Sequence, residues 1–99
     1  MKSFVVGRSL QSDILLSDDS VSQRHAQIIV EDGLAVIRDL MSSNGTFVNG
    51  IRVESQSLKD GDSIHFGEFH ALFKNGSLVD GNSKSLLKVL LVYQETKKS

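Results

Sequence analysis

The chain reads as an all-β protein, a sandwich or a barrel, and two observations carry that reading. Six of its eight glycines follow Asn or Asp, at Asp32-Gly33, Asn44-Gly45, Asn49-Gly50, Asp60-Gly61, Asn75-Gly76 and Asp80-Gly81. Such pairs are preferred where both central residues of a tight turn need positive φ. Between the turns lie short segments rich in Val, Ile, Leu and Phe. Turn signals this regular, alternating with apolar runs, are the signature of sequential strands.

The elements follow in order. Phe4–Val6 is a short first strand, and Ile14–Leu16 is a brief apolar run between polar clusters. In His25–Val30, Ala26, Ile28 and Val30 fall on one face, which makes a strand with one strongly apolar side. Leu34–Asp39 pairs back across Asp32-Gly33. Met41–Gly45 is a polar loop. Thr46–Val48 and Ile51–Val53 flank Asn49-Gly50 as a second small hairpin. Ser63–Phe66 and Phe69–Lys74 flank Gly67-Glu68. Apolar parity flips there, from Ile64 and Phe66 to Phe69, Ala71 and Phe73, and a tight turn explains the flip better than a continuous strand.

The organisation expected is a sandwich over residues 1–74, a polar linker over 75–85 and a C-terminal segment over 86–99. In that last segment Leu86, Leu87, Leu90 and Leu91 have helical spacing. The β-branched Val89 and Val92 and the aromatic Tyr93 favour a strand, with a polar tail after it.

Bulk properties narrow the function. Ninety-nine residues make one domain with one modest core. The formal net charge of −1 argues against a general nucleic-acid binder, whose footprint is clearly basic. No cysteine is present, so no disulfide, thiolate zinc site or cysteine nucleophile can form. No apolar run approaches the roughly 20 residues of a membrane-spanning helix, and the N-terminus lacks a signal-peptide core. A cytoplasmic location and no membrane partner are the expectation.

Three loop-like stretches carry the chemistry: Gly7-Arg8, Ser22-Gln23-Arg24-His25 and Ser43-Asn44-Gly45-Thr46. A guanidinium fork with hydroxyl donors suits a phosphate dianion. An adjacent Asn offers both donor and acceptor, and so can hold the main chain that bears the phosphate. The set points to binding, not catalysis. Ser22 and His25 form no nucleophile elbow of the Gly-x-Ser-x-Gly kind, and the glycine-rich loops of nucleotide enzymes are missing. His65 and His70 stand on neighbouring strands of one expected hairpin, but His25 is distant and no zinc-ligand spacing occurs. No metal, cofactor or enzyme activity is expected.

Together with Asn49-Gly50 and the closing Leu58-x-Asp60-Gly61-Asp62-x-Ile64-x-Phe66-Gly67, these motifs resemble a forkhead-associated (FHA) domain over about Val5 to Phe73. The resemblance implies a sandwich of two antiparallel sheets, with loops at one end that recognise phosphothreonine in an extended peptide. It assigns Arg8, Ser22 and Ser43 to the phosphate and Asn44 to the ligand main chain. Gln23 and Arg24 complete the expected contact set, Arg24 as added positive charge. Gly7, His25, Gly45 and Thr46 support the loops. Many family members have Arg, Asn or Lys where this chain has Gln23. The family also has one or two strands before Gly-Arg, whereas six residues precede Gly7 here. The expected sandwich is therefore short at its N-terminal side, with residues 87–94 as a late strand at the open edge.

The partner implied is a phosphothreonine-containing protein, a kinase substrate. Monomer and edge-paired dimer are both compatible with an open edge. The alternative function is a phosphate-independent assembly module that uses that edge or residues 86–93.

Overall fold

The computed structural model describes residues 1–90 and 92. Among them, eleven strands form two sheets. The first sheet has the order β2 (Ile14–Leu15), β1 (Lys2–Gly7), β3 (Ala26–Glu31), β4 (Leu34–Asp39), β7 (Ser55–Ser57). The second has the order β11 (Leu86–Val89), β10 (Ser77–Asp80), β9 (Phe69–Lys74), β8 (Ser63–Phe66), β5 (Thr46–Val48), β6 (Ile51–Arg52). The fold is a sandwich, the choice that the turn pattern left open. β1 and β2 pair in parallel; the other ladders are antiparallel.

Strand alternation builds the core. Ala26, Ile28 and Val30 of β3, Ala35 and Ile37 of β4, Ile64 and Phe66 of β8, and Ala71 and Phe73 of β9 are buried between the sheets. Each large apolar side chain so buried stabilises the fold by about 1.5–3 kcal/mol. The parity flip at residues 67–68 is a two-residue turn: Phe66 pairs with Phe69 across it, and Gly67 has φ 61°.

The Asn-Gly and Asp-Gly pairs divide into two groups. Asp32-Gly33, Asn49-Gly50 and Asn75-Gly76 have positive φ at both residues and close hairpins, as type I′ turns do. Asn44-Gly45 and Asp60-Gly61 use positive φ only at the glycine, and Asp80-Gly81 at neither residue.

The C-terminal part differs from expectation. Residues 75–85 are not simply a linker, because Ser77–Asp80 pairs with β9 on one side and β11 on the other. The polar stretch concealed this strand, since Leu78 is its one fully core-facing residue. The late strand does form, over Leu86–Val89, but it is added outside β10. Of the segment expected there, residues 91 and 93–99 lie outside the described residues. β7 is a further strand that the sequence pattern did not announce; all three of its residues are exposed.

Candidate functional site

Four connections meet at one end of the sandwich: β1–β2, β2–β3, β4–β5 and the β8–β9 turn. His25 ties two of them together. It is fully buried, and its backbone N–H donates to the Val6 carbonyl at 2.8 Å. The Ser22 N–H donates to its Nδ1 at 3.0 Å, so the ring proton sits on Nε2, which donates to the Gly45 carbonyl at 2.8 Å. The Phe66 ring meets the imidazole edge-on at 5.8 Å. Burial holds the His25 pKa below its ordinary value, against opposing effects of the Gly45 carbonyl and the Asp39 charge. The neutral tautomer is the one this network requires.

Arg8 is fixed at both of its ends. Its N–H donates to the Ser22 carbonyl at 3.0 Å, and its Nε donates to the Val21 carbonyl at 2.9 Å. Its two Nη groups have no partner among the described residues, and the side chain is exposed. The preceding Gly7 is required sterically, because a Cβ there would collide with the Gln23 carbonyl. Ser22 and Ser43 are cross-tied: the Ser43 N–H donates to the Ser22 hydroxyl oxygen at 3.0 Å. Each serine thus keeps its own hydroxyl proton to donate outward. Gln23 and Arg24 are exposed beside them, and neither side chain has a partner among the described residues.

Asn44 is half committed. Its Nδ2 donates to the Ser20 carbonyl at 2.8 Å, which leaves Oδ1 as the end able to accept a ligand N–H. Ser20, which the motif reading overlooked, joins three connections. Its hydroxyl donates to Asp18 Oδ1 at 2.7 Å and accepts the Glu68 N–H at 2.8 Å. Asp39 was overlooked as well. Its carboxylate accepts the Ser42 hydroxyl at 2.6 Å, the Thr46 hydroxyl at 2.7 Å and the Ser42 N–H at 3.1 Å. Burial pushes its pKa up, but these hydrogen bonds and the nearby His25 outweigh burial, so the net shift is downward. The Ser42 hydroxyl in turn accepts the Gly45 N–H at 3.0 Å. Thr46 is fully buried. The signal for Asp39 was its spacing to Ser42, a local side-chain turn pattern.

The two histidines expected to approach each other do so. His65 and His70 are cross-strand partners, with rings stacked at 4.6 Å. They lie on the β8–β9 hairpin, and His70 Nε2 bonds the Ser63 hydroxyl at 2.9 Å.

The motifs that form these loops have the order of a known domain family. A family profile described as FHA domain matches residues 4–67. The chain belongs to the FHA family. Its FHA domain is 39% identical over 79 residues to the glycogen accumulation regulator GarA of Mycolicibacterium smegmatis, covering 80% of this chain and 50% of GarA. It is 40% identical over 73 residues to the ABC transporter ATP-binding/permease protein Rv1747 of Mycobacterium tuberculosis, covering 74% of this chain and 8% of Rv1747. The chain thus spans about half the length of the one relative and a small part of the other. Among solved structures, it is similar to an FHA domain studied for phosphothreonine-dependent interactions, with a TM-score of 0.69 and 37% identity over 71% of this chain and 73% of that one. Among the described residues, no helix is long and apolar enough to cross a membrane.

Proposed function

We propose that this FHA domain reads phosphothreonine in an extended segment of a partner protein, as a non-catalytic module of kinase-linked signalling in the cytoplasm. One observation carries the reading. The unpartnered Nη groups of Arg8 stand on the loop hydrogen-bonded to Ser22, and Ser22 is bonded to Ser43, so three donors share one rigid loop cluster. Phosphate oxygens accept from the guanidinium and both hydroxyls, and Asn44 Oδ1 accepts a main-chain N–H of the ligand. Each charge-assisted bond contributes on the order of 1.5–3 kcal/mol before dehydration of the dianion is subtracted. An unphosphorylated segment forfeits the whole set, which makes the site a reader of kinase action.

The site residues follow in the same terms. Arg8, Ser22 and Ser43 hold the phosphate, Asn44 holds the main chain, and Gln23 and Arg24 border the ligand. Gly7, His25, Gly45 and Thr46 keep the loops in place. Preference for threonine over serine comes from packing one methyl, worth about 0.8 kcal/mol, and so is several-fold unless the methyl also fixes the bound rotamer.

The test is calorimetric titration with a phosphothreonine peptide library and its unphosphorylated counterpart. Binding only to the phosphorylated pool, lost by at least about a hundredfold in Arg8→Ala while the thermal transition stays in place, is the expected result. Affinity retained in Arg8→Ala would remove Arg8 from the site.

A further inference from the structure

The binding loops occupy one end of the sandwich, and its two outer faces are unlike each other. On the first sheet the ladder registers align Ser3, Ile29, Val36 and Ser57 in one row across β1, β3, β4 and β7, on the side away from the core. One row nearer the binding loops, Val5 and Gln27 lead to Arg38. One row farther away, Glu31 pairs with Leu34, which is 63% exposed.

Between Glu31 at the far end and Arg38 at the near end, no outward position of these four strands carries a charge. A solvent-facing surface is ordinarily about a quarter to a third charged, whereas loss of charge marks the centre of an interface. The centre of this face is the apolar pair Ile29 and Val36. Beside it Gln27 Nε2 donates to Ser3 Oγ at 2.6 Å, so these two polar groups bond each other and lose less on leaving water. The outer face of the second sheet is different. It carries Arg52, opposite Phe47, and Lys74, opposite Ser77, with no carboxylate at an outward position.

We propose that the outer face of the first sheet is a homodimer interface, covered by the same face of a second copy. Charge selects both the occupant and its orientation. A twofold axis through the Ile29–Val36 row, perpendicular to the strands, reverses the partner's strands and lays the Glu31 end of each face over the Arg38 end of the other. An axis along the strands sets like ends together and repels, as would two copies of the second sheet's outer face. Neither Glu31 nor Arg38 has a side-chain hydrogen bond or ion pair among the described residues, so both are available to a partner. Three rows of alternate residues on four strands cover roughly 400 Å² a side, about half of a standard interface. The dimer is therefore weak, half formed on the order of 100 µM. Because the strands are reversed, the two loop ends point in opposite directions, and the pair joins two ligands instead of gripping one.

Sedimentation equilibrium of the whole chain, from about 10 µM to about 1 mM, reads the association. The expected mass rises with concentration from one chain toward two. Leu34→Lys, a change at an exposed position, abolishes the rise. Glu31→Arg and Arg38→Glu each weaken the dimer at least about five-fold. Mixing those two variants in equal amounts restores it, because each supplies the charge that the other has lost. A monomer at every concentration, or a dimer that Leu34→Lys and both charge variants leave intact, overturns the proposal. A dimer kept in Leu34→Lys and lost in Val89→Lys puts the contact at the β11 edge, which overturns it as well.

Discussion

The binding end and the β10–β11 edge of this sandwich are built by different means. At the binding end, side-chain hydrogen bonds tie the connections together, some local and some across more than twenty residues: His25 bonds Ser22 and Gly45, Asn44 bonds Ser20, Ser20 bonds Glu68, and Asp39 bonds Ser42 and Thr46. At the other site, β10 and β11 are joined mainly by their ladder, with a register shift between Leu78 and Val79. The β11 side chains Leu86 and Val89 are largely exposed, while Leu78 and Leu90 anchor this edge in the core. The difference teaches that the proposed phosphate site is tied together by the protein's own hydrogen bonds, which lowers the ordering cost of binding. The edge strand instead extends a sheet whose core is already closed by β8 and β9.

The strongest way to break this contrast is His25→Ala. It removes a fully buried ring and leaves the Ser22 N–H without its acceptor, for an expected loss of about 3 kcal/mol. Urea denaturation measures the loss, and phosphopeptide affinity should fall with it. Asn44→Ala comes next. It deletes the bond to Ser20 and the proposed ligand contact, so affinity should drop roughly five-fold at nearly unchanged stability. An unaltered Kd would refute its main-chain role.

Acid sharpens the comparison without mutation. His25 has a lowered folded pKa, so below the ordinary imidazole value the unfolded chain takes up the proton first. The stability that neutral His25 contributes is full above about pH 6.5 and declines as pH falls from there toward the folded pKa. Urea midpoints across that range should show the decline in wild type and a weaker one in His25→Gln. The smallest effect belongs to the edge. Val89→Lys places a charge on exposed β11 and should change stability by less than about 0.5 kcal/mol and leave phosphopeptide affinity alone. If β11 pairs two copies, light scattering will show the variant shifted to monomer, which is how the edge-assembly alternative is tested.

Much of the fold was legible in the residues. β4, β5, β8 and β9 have the bounds that alternation and turn pairs predict, because both are local properties of the chain. β7 and β10 were not legible. Ser55–Ser57 buries nothing, and Ser77–Asp80 puts one residue fully in the core, so their strand character comes from neighbours that supply hydrogen-bond partners. Asn75-Gly76 was a hairpin signal in plain view, yet the polar run after it gave no second strand to match.

The candidate site divides along the same line. Residue types and their order determined that a guanidinium, two hydroxyls and an amide would sit on loops between strands, since turn chemistry and strand period act over a few residues. Only the tertiary structure decided that Asn44 spends its donor on Ser20 and that Asp39 of one sheet accepts the Thr46 hydroxyl of the other. Those pairings join residues that are distant in sequence or lie on different sheets, and no local pattern encodes a contact that exists only once two sheets have packed.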